Sequence, residues 1–191
     1  MTGYYYLKAE NSNDKNTAFL LIRRSEEERK AVFAKSSKPK ETKSFVTGEE
    51  VKSFTARDIK GKKYKLKDLK EKIVVLNFWF IACPPCRNEI LELNKLVENY
   101  KDSSNILFLA IALDNRDELR EFLKTTPFNY TIISDGEYIA HHYAIAAYPT
   151  HVVIDQTGKT YFHTSGAGSI TIHWLKKSIE ELLVKKIERP E

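Results

Sequence analysis

The stretch Ile73-Val74-Val75-Leu76-Asn77-Phe78-Trp79-Phe80-Ile81-Ala82-Cys83-Pro84-Pro85-Cys86-Arg87-Asn88-Glu89-Ile90-Leu91 changes its hydrophobic period once, at the cysteines. From Ile73 to Phe80 the residues are almost wholly apolar, β-branched or aromatic. That is how a strand covered on both faces reads, and it predicts an interior strand of an α/β sheet. Beyond the second cysteine, Ile90, Leu91, Leu93, Leu96 and Val97 recur at helical spacing and predict a helix over Arg87 to Tyr100. A Cys-Pro-Pro-Cys segment therefore sits where a buried strand hands over to a helix.

That placement carries chemistry. At a helix start the first sulfur lies at the mouth, where unsatisfied N–H groups and the positive end of the macrodipole favour a thiolate. Cys83 is the expected nucleophile, with its pKa lowered from the free value of about 8.5 into a range of roughly 3.5 to 7.5. Cys86 comes round beneath it within the first turn, and is expected to resolve a mixed disulfide by attacking Cys83. Pro84 and Pro85 suit the first turn, where φ near the helical value is wanted and no donor is needed. They also give no N–H to the Cys83 sulfur, which leaves the amides of Cys86 and Arg87 and the dipole. Arg87 adds a nearby positive charge, or is simply a solvated helix residue. Glu89 lies one turn beyond Cys86 on the same face, where a carboxylate can manage the buried thiol's proton, with an ordinary surface glutamate as the rival reading.

Working outward, Phe54 to Leu66 alternates like a hairpin turning at Lys60-Gly61. After the motif helix come a strand over Ile106 to Leu113, a helix over Arg116 to Lys124, a strand over Tyr130 to Ile133 and a short helix around Tyr138 to Ala144. Past Tyr148-Pro149-Thr150, a strand over His151 to Asp155 turns tightly at Gln156 to Lys159 into an antiparallel strand over Thr160 to Thr164. A last amphipathic helix spans Ile170 to Lys186, with Trp174, Leu175, Ile179, Leu182 and Leu183 on its apolar side. A proline entering a strand is restricted, and on local sequence alone the Tyr148–Pro149 bond is trans by default.

Residues 1–48 read differently and are taken as an N-terminal extension and linker ahead of a domain over 49–191. Asn11 to Asn16 is a loop or disordered tract, and Ala18 to Ile22 a short apolar run. Ser25-Glu26-Glu27-Glu28 fits a capping box opening a short helix, with Lys30 and Lys35 near its end and Pro39 closing it. Residues 36–44 look like a linker, so the extension either packs on the domain or floats.

A chain of 191 residues, 42% of them apolar, is enough for one good-sized core. The net charge of +5, from 31 basic and 26 acidic side chains interspersed along the sequence, shows no basic stripe with interleaved aromatics and argues against nucleic acid. No apolar run approaches the ~18 residues of a membrane span, and the start lacks the regions of a signal peptide. The chain is expected to be soluble as written, with a membrane tether compatible with a longer form. The two cysteines are three positions apart, so no structural disulfide exists elsewhere. Zinc would need two suitably spaced histidines, and His141, His142, His151, His163 and His173 offer no such pair.

The segment Asn77 to Glu89, with the Asp58-x-x-Gly61 hairpin and Tyr148-Pro149-Thr150, resembles the TlpA/ResA-like thiol-disulfide oxidoreductases of the thioredoxin superfamily, within the broader AhpC/TSA-related group. The likeness runs from about Phe54 to Val184. It implies a thioredoxin-like α/β fold: a central mixed β-sheet flanked by helices, with an N-terminal hairpin and a central α/β insertion around Phe122 to Ile145. It further implies that Pro149 is cis and faces the disulfide, that Tyr148, Pro149, Trp79, Pro84 and Pro85 contribute to the substrate groove, and that Glu89 matches the acidic residue near the second cysteine. The implied activity is reduction of protein disulfides, with an upstream electron donor, no cofactor beyond the redox-active disulfide, and a setting in the bacterial periplasm or cell envelope. Two positions depart from pattern: Ala82 replaces the tryptophan common before the first cysteine, and Asn77 stands where thioredoxin keeps a buried aspartate. Proton handling then falls to Glu89 or water. Two other readings stay open. A peroxidase would need Thr and Arg around Cys83, and Phe80, Ile81 and Ala82 supply no hydroxyl; a Cu(I) carrier would use Cys83, Cys86 and a histidine such as His151, although copper-carrier relatives space their cysteines by three residues.

Overall fold

A strand with no polar side chain except Asn77 must be shielded on both faces, and Ile73–Trp79 is buried along its whole length. The computed structural model describes residues 5–9 and 19–187. In chain order its elements are β1 (Tyr5–Ala9), β2 (Phe19–Arg23), α1 (Glu26–Ala34), β3 (Thr55–Arg57), β4 (Lys63–Lys65), a 3-10 turn (Leu66–Leu69), β5 (Ile73–Trp79) and α2 (Pro84–Glu98). There follow β6 (Ile106–Ala112), α3 (Arg116–Thr125), β7 (Thr131–Ile133), α4 (Glu137–His142), β8 (Thr150–Ile154), β9 (Thr160–Ser165) and α5 (Ser169–Ile187).

Five strands form one mixed sheet in the order β7-β6-β5-β8-β9. β5, β6 and β7 run parallel, joined by helical crossovers, while β8 is antiparallel to β5 and β9 to β8. This is the expected thioredoxin-like architecture, with β5 in the middle. Alternation along β5 divides the core. Ile73, Val75 and Trp79 pack with Ile90 and Leu93 of α2 and Leu175 and Ile179 of α5, while Val74, Leu76 and Phe78 pack with Ile139 of α4, Phe54 and Tyr143.

β3 and β4 form the expected hairpin. Its turn closes on Asp58, whose Oδ1 accepts from the amides of Lys60 and Lys62 at 2.9 Å each, and Gly61 takes the left-handed φ of 92° that the turn demands. α2 begins at Pro84, three residues before the predicted Arg87, because both prolines already carry helical φ. The inserted element consists of β7 on the sheet edge and α4 on the face opposite α2 and α5.

The extension holds two findings. The capping box is present, with Ser25 Oγ accepting from Glu28 N and Glu28 Oε2 accepting from Ser25 N, but α1 ends at Ala34, ahead of Pro39. The loop expected at Asn11 to Asn16 lies outside the described residues. Residues 36–48 are no free linker: Thr42 N donates to His163 Nδ1 at 3.1 Å, Thr164 Oγ1 donates to Lys40 O at 2.9 Å, and Phe45 is buried against Tyr143 with ring centroids 5.0 Å apart. A boundary drawn between residues 48 and 49 cuts through these contacts, because the Phe45 ring is part of the core. Among the described residues no helix is long and apolar enough to cross a membrane.

His163 anchors this strap from β9. Burial holds its pKa below the ordinary imidazole value of 6.5, outweighing the attraction of Glu41, whose Oε2 lies 3.6 Å from Nε2. Below about pH 6.5 the unfolded chain takes up a proton that the folded ring resists, so stability falls as pH drops from there to the lowered folded value and levels off beneath it. His173, lowered mainly by burial too, adds a contribution of the same sign. Urea unfolding between pH 7.5 and 5.5 should therefore show a steeper loss for the wild type than for His163→Gln; identical slopes would remove His163 as the cause.

Candidate active site

Cys83 is the N-cap of α2, with Pro84 and Pro85 as the next two residues. Neither proline has an N–H, so the first amide available to the sulfur is that of Cys86, which donates to Cys83 Sγ at 3.3 Å. The two cysteines are joined as a disulfide, with Cα atoms 5.3 Å apart. The Cys86 amide and the helix N-terminus are both aimed at Cys83 Sγ, an electrostatic setting of the kind that favours a thiolate.

The mouth is less open than the sequence suggested. Cys83 is 3% exposed and Cys86 2% in the bonded form, packed with Phe80 and Ile81 in the same apolar cluster. Ala82, Pro84 and Pro85 are exposed and form the rim around them. The loop ahead of Cys83 is held from β6: Ile81 N donates to Asp114 Oδ2 at 2.8 Å, Leu113 N to Trp79 O at 3.1 Å, and Cys83 N to Phe80 O at 3.1 Å. Sequence reading missed Asp114. Its carboxyl is held above the ordinary value by burial, against the lowering effect of the Ile81 amide.

The Tyr148–Pro149 peptide is cis. Thr150 pairs with Phe78 in the β5–β8 ladder, which sets Tyr148 and Pro149 beside the Phe80 to Cys83 loop. The rings of Tyr148 and Phe80 meet edge to face at 5.3 Å, and Pro149 O accepts from Gly166 N at 2.8 Å. Burial raises the Tyr148 pKa, so its hydroxyl stays neutral at physiological pH. Trp79 needs a correction. Expected in the groove, it is 1% exposed and stands edge-on to Phe128 at 5.4 Å, beneath the site, because β5 is covered on both faces and residue 79 shares the α2/α5 side with Ile73 and Val75. It cannot touch a docked chain. Arg87 places its guanidinium over the Phe122 ring at 5.9 Å.

Behind the disulfide lies a buried polar group that joins α2, β5 and β8. Glu89 is 5% exposed, which ends the reading of it as a surface residue, and Asn77 and His151 are 1% and 0% exposed. Asn77 Nδ2 donates to Glu89 Oε1 at 3.3 Å and lies 3.2 Å from His151 Nδ1. His151 Nε2 is 3.0 Å from the same Oε1, close but out of line for a full hydrogen bond, and Glu89 Oε2 has no hydrogen-bond partner among the described residues. Asn77 was noted from sequence only as the loss of an aspartate. The missed signal was pairwise: two inward polar residues in otherwise apolar strands, directly opposite in the β5–β8 register. With both ring nitrogens turned to Asn77 and Glu89, His151 is not directed at sulfur. Among the described residues no cluster of three or more His, Cys, Asp or Glu side chains is arranged to hold a metal ion.

The AhpC/TSA family model matches residues 47–162. The thiol-disulfide oxidoreductase ResA of Bacillus thuringiensis subsp. konkukian is 33% identical over 140 residues, spanning 72% of this chain and 77% of that protein. The thioredoxin-like protein YneN of Bacillus subtilis is 31% identical over 113 residues, 58% of this chain and 66% of that one. Among solved structures, a putative thiol:disulfide interchange protein DsbE from Chlorobium tepidum superposes with a TM-score of 0.66 at 26% identity, covering 73% of this chain and 99% of that one.

The Asp114 contact generates a test of how the loop is held. Asp114→Ala leaves the Ile81 amide without its acceptor and should cost the oxidised protein about 1–2 kcal/mol in urea unfolding. Asp114→Asn keeps an acceptor and should lose less than half as much. Equal losses would show that the negative charge, and not the acceptor, fixes the loop.

Proposed function

This chain belongs to the AhpC/TSA family, and on that premise we propose that it is a thiol-disulfide oxidoreductase that reduces disulfide bonds in other proteins. The observation that carries the reading is the Cys83–Cys86 disulfide at the start of α2, with the Cys86 amide directed at Cys83 Sγ. Names of relatives and solved neighbours point the same way.

The reduced form enters the cycle with Cys83 as thiolate and Cys86 as thiol. Cys83 Sγ attacks one sulfur of a substrate disulfide, forming a mixed disulfide and releasing the other substrate sulfur as thiolate. Cys86 then gives up its proton, with Glu89 one helical turn away as the acceptor, and its sulfur attacks Cys83 Sγ. The Cys83–Cys86 bond forms, the mixed disulfide breaks, and the second substrate sulfur leaves. Two electrons pass to the substrate, and the chain ends in the bonded state seen here. An upstream dithiol donor returns it to the reduced form. The electrons reside in sulfur throughout, so these steps call on no bound cofactor.

Ala82, Pro84 and Pro85 rim the sulfur, and Tyr148 and Pro149 lie beside the same loop, which supports the docking of an extended substrate segment across the cysteines. Trp79 supports this surface only from below. The compartment proposed is the bacterial cell envelope, an oxidising setting in which such a disulfide persists until a donor reduces it.

Trapping tests the scheme. Cys86→Ser, expressed in cells, should accumulate mixed disulfides through Cys83 that mass spectrometry identifies, and Cys83→Ser should capture nothing and lose all disulfide reductase activity. Captured partners should be found oxidised in cells lacking the chain; finding them reduced there would make the chain an oxidant instead. Equal capture by both variants would contradict the assignment of the nucleophile.

A further inference from the structure

The roles of Cys83, Cys86 and Glu89 leave one buried titratable group beside them without a task. His151 is the second residue of β8, two residues after Pro149, and is fully buried. An imidazole enclosed in an apolar core must be satisfied through its ring nitrogens. Both nitrogens face the residues that surround the resolving thiol's carboxylate: Nδ1 lies 3.2 Å from Asn77 Nδ2, and Nε2 lies 3.0 Å from Glu89 Oε1.

The hydrogen-bond inventory decides where the ring proton sits. Asn77 Nδ2 carries two hydrogens and has two neighbours, Glu89 Oε1 at 3.3 Å and His151 Nδ1 at 3.2 Å. The reverse amide orientation would set Oδ1 against a carboxylate oxygen. Nδ1 is therefore the acceptor, and the neutral ring carries its hydrogen on Nε2, toward Glu89 Oε1. Asn77 thus donates to Oε1 from β5, and the Nε2–H of His151 stands 3.0 Å from the same oxygen on the side of β8, close but out of line for a full hydrogen bond. The other oxygen, Oε2, is buried and has no hydrogen-bond partner among the described residues.

This asymmetry divides the carboxylate's work. An ionised carboxylate in an apolar core is costly unless donors compensate it, and Oε1 receives that compensation. Oε2 stays available for a proton.

We propose that His151 is a positioning residue for the resolving step: with Asn77 it fixes the Oε1 side of the Glu89 carboxyl and leaves Oε2 to take the proton of Cys86. This deepens the dithiol scheme and rests on it. His151 touches neither substrate nor sulfur, and it acts through Glu89. The groups that surround the pair are Cys86 on α2, Asn77 on β5, Thr164 opposite His151 on β9, and the buried Tyr130 ahead of β7. Burial holds the Tyr130 hydroxyl neutral, and the Glu89 charge adds to that effect.

An aromatic disulfide that liberates a coloured thiolate at each step separates the two halves of the cycle. Mixed with the reduced protein, it reports Cys83 attack as the first release and Cys86 resolution as the second. His151→Leu fills the space without a donor. Its first release should stay within about twofold of the wild type, and its second should slow about tenfold at neutral pH through the loss of the N–H contact to the carboxylate. Its half-maximal pH for resolution should move up by about one unit. His151→Gln keeps an N–H donor and should restore most of the rate. A wild-type rate and profile in His151→Leu, or equal slowing in both variants, would overturn the proposal. Nitrogen-15 spectra of the unaltered protein give a reading that no folding defect can obscure: an Nε2–H tautomer at His151 is expected, and an Nδ1–H tautomer would overturn it. If the dithiol scheme itself were wrong, the wild type would liberate no second thiolate.

Discussion

Everything at this site depends on one handover, from a strand that water cannot reach into a helix whose first turn has almost no donors to offer. β5 ends at Trp79 and α2 begins at Pro84, so four residues must turn the chain and present a sulfur at the helix start. Two prolines remove the N–H groups that would normally lie in the first turn, and the Cys86 amide becomes the donor that meets Cys83 Sγ. Cys86 is thereby tied to Cys83 by its own backbone as well as by its side chain. The loop between strand and helix has little latitude either, because the Asp114 carboxylate accepts from Ile81 N and Leu113 N donates to Trp79 O, tying it to the chain just past β6.

A second constraint follows from burial. The α2/α5 face of the sheet is largely apolar, with Asn77, His151 and Thr164 among its buried polar residues, and Glu89 enters it from the helix. Placing a carboxylate there is unfavourable by several kcal/mol in isolation, so its retention one turn below Cys86 calls for partners, and the two strands provide them. The arrangement moves the acidic group from a strand to the helix that carries the cysteines: Asn77 is a donor where thioredoxin's aspartate would be an acceptor. The carboxylate therefore travels with α2, while its orientation is set by β5 and β8. His151 follows Pro149 by two residues, so the loop beside the disulfide runs directly into the strand that contacts Glu89.

Local periodicity made most of the fold legible. The all-apolar run of β5, the helical spacing after Cys86 and the tight turn before β9 each depend on neighbours in sequence, and each was placed within a few residues. Partners distant in sequence were harder. Asn77 and His151 lie opposite each other only because β8 docks antiparallel beside β5, a register no local pattern announces. Asp114 reads as an ordinary residue after a strand until its carboxylate is seen to bond Ile81 N. Trp79 enters the groove only through the resemblance, whereas the cover on both faces of β5 buries it beneath the disulfide. Residues 36–44 read as a linker from their polar composition, yet Lys40 O and Thr42 N bond Thr164 and His163 of β9, and the neighbouring Phe45 ring enters the core.

The central claim is electrostatic: the helix start and the Cys86 amide stabilise the Cys83 thiolate. Ultraviolet thiolate absorbance of the reduced protein, followed against pH with Cys86→Ala to isolate the one sulfur, measures this directly. A midpoint at least one unit below the free-thiol value of about 8.5 is the predicted result. A midpoint at or above that value would contradict the account.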